Sequence, residues 1–175
     1  AADPARHDAS RGVRCFDALM ASVETALALG EHPDLLFTVT NDNIDQLDAV
    51  YERIAYPNRL VLIINPLFSY HTLGEALTDE VMRVMQRFAR KPYTYLNPAF
   101  LTLRRRGGND PERPVCKAVS TCVVISPFDE LVLPCYHAGL ERLPIRGRLY
   151  DVWRSDEVAV HRALEGRHEA CRGCT

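Results

Sequence analysis

No apolar run in this chain approaches the roughly 20 residues that a membrane-spanning helix needs. Its opening, Ala1-Ala2-Asp3-Pro4-Ala5-Arg6-His7, lacks the apolar centre of an export signal. Without export, six cysteines are poorly explained as a disulfide framework and better explained as metal ligands or redox groups, so a cytoplasmic location is expected. An excess of charge is missing too. The 21 basic and 23 acidic residues leave a net charge of -2, with both signs interleaved, which removes the electrostatic case for nucleic acid as a partner. The basic run Arg104-Arg105-Arg106 leads into Gly107-Gly108-Asn109-Asp110-Pro111 and reads as a solvated helix end and loop. Also lacking are a Gly-rich phosphate loop, a nucleophile–base pair, paired carboxylates, internal repeats and low-complexity tracts.

What is present is a globular composition. Hydrophobic residues make up 47% and charged residues 25% of 175 positions, enough for one domain or one and a half. Phe16, Leu19, Met20, Val23 and Leu27 recur at helical spacing over 14–29, and Gly30 is placed to end that helix. Residues 35–40 and 60–65 are continuous apolar, β-branched runs and predict buried parallel strands. Between them, Asn43 with Gln46 predicts a capping box for a helix carrying Ile44, Leu47, Tyr51 and Ile54 inward. Thr78, followed by Asp79 and Glu80, starts a further helix with Val81, Val84, Met85 and Phe88 on its buried side. Asn97-Pro98 opens a shorter one. The alternation implies an α/β fold with a parallel sheet, the trailing part of a larger unit.

Residues 107–114 hold two Gly and two Pro and predict a linker. Beyond them the pattern predicts a small α+β extension: a hairpin over 122–135 turning at Pro127–Glu130, an irregular stretch, then a helix capped by Ser155 with Val158, His161 and Leu164 on one face. Both ends are read as interior to a longer protein, since the chain opens in a polar lead-in ahead of a helix and stops one residue after a cysteine pair.

Five of the six cysteines fall in this extension: Cys116, Cys122, Cys135, Cys171 and Cys174. Cys15, next to Phe16 on an amphipathic helix, reads as a small buried hydrophobe. The closing Cys171-Arg172-Gly173-Cys174 can point two thiolates at one centre, and its place after a helix disfavours a thioredoxin-like redox pair. Four thiolates from Cys116, Cys135, Cys171 and Cys174 suit a 4Fe-4S cluster or a tetrahedral zinc, and the single tight knuckle leans towards iron–sulfur. A structural zinc module without catalysis, and an interaction domain with incidental cysteines, stay open as alternatives. His137, His161 and His168 read as structural.

From Cys116 onward the chain resembles the auxiliary-cluster extension of radical S-adenosylmethionine enzymes, the SPASM domain or its shorter twitch form. The resemblance is carried by three ordered segments: Ile125-Ser126-Pro127-Phe128-Asp129-Glu130-Leu131-Val132-Leu133-Pro134-Cys135, then Gly147-Arg148-Leu149-Tyr150-Asp151-Val152-Trp153-Arg154-Ser155, then Cys171 to Cys174. Residues 14–103 resemble the closing units of the partial (β/α) barrel of those enzymes. The resemblance implies residues 1–106 as the end of the barrel, 107–114 as linker and 115–175 as the cluster extension. Two departures stand out: Glu130 replaces the usual turn glycine, and the family's C-x-x-x-C-x-x-C motif is absent. The implied partner is therefore an N-terminal barrel segment carrying that motif, a second 4Fe-4S cluster and S-adenosylmethionine, acting on a peptide or small-molecule substrate. Asn41, Asp42, Asn65 and Ser69 would face the barrel mouth, with capping and turn formation as their plainer role. In the single-cluster form Cys116, Cys135, Cys171 and Cys174 are the ligands and Cys122 is a buried spare. In the longer form Cys116, Cys122 and Cys135 share one cluster and Cys171 and Cys174 begin a second.

Overall fold

Asp3 and Pro4 together start a helix. The Asp3 side chain accepts the Arg6 amide at 2.8 Å and Pro4 fills the first helical position, so α1 runs Pro4–Arg11 until Gly12 turns left-handed at φ 69°. The polar lead-in expected here is thus a helix in the computed structural model, which describes residues 2–67 and 77–174. The second helix, α2 (Phe16–Ala28), is capped from outside itself: Oδ1 of Asp8 accepts the Cys15 and Phe16 amides, each at 2.9 Å. Gly30, at φ 79°, ends it as expected.

The chain divides into two compact units, Ala1–Asn97 and Pro98–Thr175, and the architecture is mixed α/β. In the first unit, β1 (Leu35–Val39) lies parallel to β2 (Leu62–Pro66), with Leu35 opposite Leu62 and Val39 opposite Pro66. A two-residue strand, β3 (Thr94–Tyr95), extends the sheet on the far side of β2, so strand order follows chain order. Strand β1 buries one face only: Phe37 and Val39 point inward while Leu36 is 63% exposed.

The capping box expected at Asn43 does not form. Its amide side chain instead closes the exit of β1, accepting the Thr40 amide and donating to the Thr38 carbonyl, both at 2.8 Å. The chain then tightens and loosens in succession: a 3-10 turn (Ile44–Gln46), a short α-helix α3 (Leu47–Val50) and a π turn (Tyr51–Ala55). Leu47, Val50, Tyr51 and Ala55 are buried along it. Helix α4 (Asp79–Phe88) begins where expected, Oγ1 of Thr78 accepting the Val81 amide at 3.3 Å. It buries Val81, Met82, Met85 and Phe88, so Met82 takes the inward place expected of the half-buried Val84. Val39, Leu47, Leu60, Leu62 and Met85 form a fully enclosed centre, each 0% exposed.

The second unit opens with α5 (Pro98–Arg105), followed by α6 (Ala118–Thr121), β4 (Glu130–Leu133), β5 (Glu141–Pro144), α7 (Leu149–Trp153) and α8 (Asp156–Ala163). Residues 107–114, expected as a linker, lie inside this unit and not between the two. The hairpin expected over 122–135 is reduced to one bridge, Ile125 with Leu131, and the full antiparallel partner of β4 is β5. In the turn, the left-handed residue is Asp129 at φ 59°, a type that tolerates it. Glu130 already belongs to β4, so the departure from glycine there leaves the turn intact. Val119, Leu131, Leu133, Ile145 and Val158 make the core, with Leu143, Leu149, Val152 and Trp153 against it. Among the described residues, no helix is long and apolar enough to cross a membrane.

Candidate metal centre

Asn109 is the knot of the second unit. It is 3% exposed, and each of its polar groups is used. Its side-chain NH₂ donates to the carbonyls of Gly166 (2.8 Å) and Cys171 (3.2 Å), and its side-chain oxygen accepts the amides of Val115 (3.2 Å) and Cys116 (3.4 Å). Its backbone pairs with the terminal turn, Asn109 N–H to the Cys174 carbonyl at 2.8 Å and Gly173 N–H to the Asn109 carbonyl at 2.9 Å. One residue therefore fastens the segment bearing Cys116 to the turn bearing Cys171 and Cys174.

Two glycines permit this approach. A Cβ on Gly108 would sit 2.3 Å from the Gly173 backbone, and one on Gly166 would lie 2.8 Å from Cβ of Pro114 and 3.1 Å from Cβ of Cys116. From the other side, Glu165, 6% exposed, accepts the Ser120 amide (2.6 Å) and hydroxyl (3.0 Å), capping the first turn of α6. Lys117 stands 3.7 Å from the same carboxylate. Cys116 thus lies between two fixed points, the Asn109 knot and a capped helix.

Cys135 follows β4 through a cis Leu133–Pro134 peptide, and its sulfur accepts the Ala138 amide at 3.5 Å. Cys171 is buried in a 3-10 turn (Glu169–Cys171), while Cys116, Cys135 and Cys174 are half-buried. Their electrostatics place the four near one another. Burial pushes the Cys171 thiol up to about 11, and the charges of Cys116, Cys135 and Cys174 push it the same way. Burial raises Cys174 as well, followed by the charges of Cys135 and Cys116. Cys116 is raised by burial, with Cys135 again among the charges that add to it. In this half-dry setting the thiols of Cys116, Cys171 and Cys174 are thus all held towards their neutral form.

The spread of these sulfurs bears on which cation. Tetrahedral zinc, with Zn–S near 2.3 Å, holds its sulfurs about 3.8 Å apart. Among the described residues, no three of the cysteine sulfurs lie within 4.8 Å of one another.

Cys122 stands apart. It is exposed, not the buried spare expected, and no charge from it figures among those acting on Cys116, Cys171 or Cys174. Cys15 is half-buried in the first unit beside His7 and Asp8. His161 pairs with Glu141 at 2.6 Å and stacks near His168, ring centres 5.7 Å apart, and burial lowers His137 from its ordinary value. Of the residues expected at a barrel mouth, Asn41 accepts the Thr78 amide at 3.0 Å, the Asp42 carbonyl accepts from Arg6, and Asn65 sits in β2 opposite Thr38. Ser69 lies outside the described residues.

Sequence reasoning missed Asn109 and Glu165. Polar residues beside Gly and Pro read as solvated loop, and nothing local reports partners 57 and 45 residues away. Compared with known protein families, curated proteins and solved structures, the chain matches none.

Proposed function

We propose that this chain is the C-terminal segment of a radical S-adenosylmethionine enzyme, and that its second unit holds an auxiliary 4Fe-4S cluster on Cys116, Cys135, Cys171 and Cys174. The observation that carries the reading is Asn109 tying the Cys116 segment to the Cys171–Cys174 turn, with burial and neighbouring cysteines raising the thiols of Cys116, Cys171 and Cys174. In the first unit, the parallel strands follow chain order in space, the order barrel units have and one that half of a doubly wound sheet shares. The separation of Cys122 favours the single-cluster arrangement over the two-cluster one. When bound, a fully thiolate-ligated cluster supplies one-electron transfer to radical-based modification of a peptide or small molecule. The residues of the chain do the rest. Asn109 and Glu165 fix the segment of Cys116, the Ala138 amide donates to the Cys135 sulfur, and burial of Cys171 limits water around the site.

Anaerobic purification followed by iron and sulfide analysis tests this. The expected result is brown protein with about four iron and four sulfide per chain. Serine at 116, 135, 171 or 174 should cost most of that iron, whereas Cys122→Ser should cost none. Colourless protein with one zinc, or iron loading that depends on Cys122 as much as on the other four, would overturn the assignment.

A further inference from the structure

The first unit carries a second constellation of ligating side chains, far tighter than the cysteine set. His7, Asp8 and Cys15 offer one nitrogen, one oxygen and one sulfur, and their ligand atoms all lie within 4.8 Å of one another. Tetrahedral zinc places such atoms about 3.3–3.8 Å apart, from metal–ligand lengths of about 2.0–2.3 Å. Side-chain adjustment on the order of 1 Å closes the difference.

The local fold holds the three in place. His7 is 7% exposed on α1, with its ring set edge-on to Phe16 at 5.5 Å between centres. The Cys15 and Phe16 amides fix Oδ1 of Asp8, which orients the carboxylate and leaves Oδ2 for an ion. Cys15 immediately precedes α2, so α1 and α2 together bring in all three groups.

We propose that His7, Asp8 and Cys15 bind one divalent transition ion of the zinc class. Imidazole, carboxylate and thiolate together match a borderline-soft cation and not magnesium or calcium. Binding forms one bond from each group and releases the Cys15 thiol proton to solvent. His7 and Phe16 also line a groove of about 530 Å³ that runs past Leu35, Phe37 and Asn43. Three protein ligands beside a groove are the pattern of a site that keeps a coordination position for water. The site uses the first unit alone and does not depend on the cluster proposed for the second.

Cobalt(II) titration of the full chain, read by absorption and by bound-metal analysis, tests the site. Cysteines of the second unit also take up cobalt, so the readout is the difference between wild type and variants. Cys15→Ser should remove one equivalent together with its thiolate-to-cobalt absorption. His7→Gln should weaken that equivalent at least about tenfold. Asp8→Asn keeps an oxygen for the two amides, and so keeps the cap on α2, yet should weaken binding by a similar factor with an unchanged metal-free melting curve. Binding as tight as wild type in Asp8→Asn or His7→Gln overturns the site, including the case in which Cys15→Ser alone has an effect. Iron content of the same variants stays at the wild-type level throughout, so failure here and failure of the cluster assignment are read on different metals.

Discussion

The two units reach order by different means. The first is sealed by apolar residues from a parallel sheet and its helices, with Val39, Leu47, Leu60, Leu62 and Met85 wholly enclosed. The second has a small apolar core of Val119, Leu131, Leu133, Ile145 and Val158, and around its cysteines the chain is held by polar contacts: Asn109 on one side, Glu165 on the other. Hydrophobic burial needs no ligand to be favourable. On the proposed assignment, a cation neutralises thiols whose ionisation burial and neighbouring cysteines disfavour at Cys116, Cys171 and Cys174. Under that proposal, stability in the first unit rests on apolar burial, and in the second it rests on metal as well.

Stripping the metal should expose this contrast most visibly. In hydrogen exchange, chelated protein should lose protection at Asn109, Val115, Cys116 and Gly173, whose amides belong to the knot, while the β1–β2 amides keep theirs. Equal loss in both units, or no loss in the second, would show that the contrast is false.

The contrast also explains what could be read in advance. Strands β1 and β2 and the Thr78 cap of α4 were legible because each is specified within a few residues: an apolar β-branched run, or a hydroxyl three residues before its amide. Strand β5 was not, since Glu141-Arg142-Leu143-Pro144 carries two charges and a proline and becomes a strand only against β4. At Asn43 a local signal competed with another: the motif for a helix cap was present, but the strand exit claimed the side chain. The cysteines could be found by type and spacing. Which of them converge could not, because spacing says nothing of the fold that carries Cys122 to the surface. The His7–Asp8–Cys15 cluster depends on α1, which reads as polar lead-in unless Asp3-Pro4 is taken as a helix start.

Asn109→Ala should have the next largest effect. It removes four side-chain hydrogen bonds and leaves the carbonyls of Gly166 and Cys171 and the amides of Val115 and Cys116 short of partners. At a site 3% exposed this should cost about 2–4 kcal/mol in the second unit, measured by denaturant unfolding of the loaded protein. Asn109→Asp keeps the acceptor but sets a carboxylate oxygen against the Gly166 and Cys171 carbonyls, so it should cost at least as much as alanine. A cost below about 0.5 kcal/mol for alanine would remove Asn109 from its structural role.

A smaller effect is expected from pH in metal-free protein. The Cys171 thiol is raised from an ordinary value of 9.0 to about 11 by burial and then by its three neighbouring thiols. Well below pH 9 the thiol is protonated in both folded and unfolded chains, and the folded state keeps its full stability. As pH rises from 9 towards 11 the unfolded chain releases the proton first, so stability falls across that window. Urea midpoints of chelated protein should drop over this range, and Cys171→Ser should reduce the drop. Loaded protein, with its thiolates already committed to metal, should show no contribution from Cys171. A drop of equal size in chelated wild type and Cys171→Ser would locate the effect elsewhere.

The smallest test compares helix caps. Thr78 caps α4 from the adjacent position at the surface of the first unit, whereas Glu165 caps α6 from 45 residues away with its carboxylate buried. Thr78→Ala removes one acceptor that water replaces, and should cost about 1 kcal/mol. Glu165→Ala strips both the amide and the hydroxyl of Ser120 of their partner in a dry setting, and should cost about 2 kcal/mol. Glu165→Gln separates charge from geometry, because its amide oxygen can still accept the Ser120 amide while the attraction of Lys117 is lost. If glutamine behaves like wild type, the cap acts through hydrogen bonding alone. If it behaves like alanine, the negative charge at the first turn of α6 is what holds Cys116 in position.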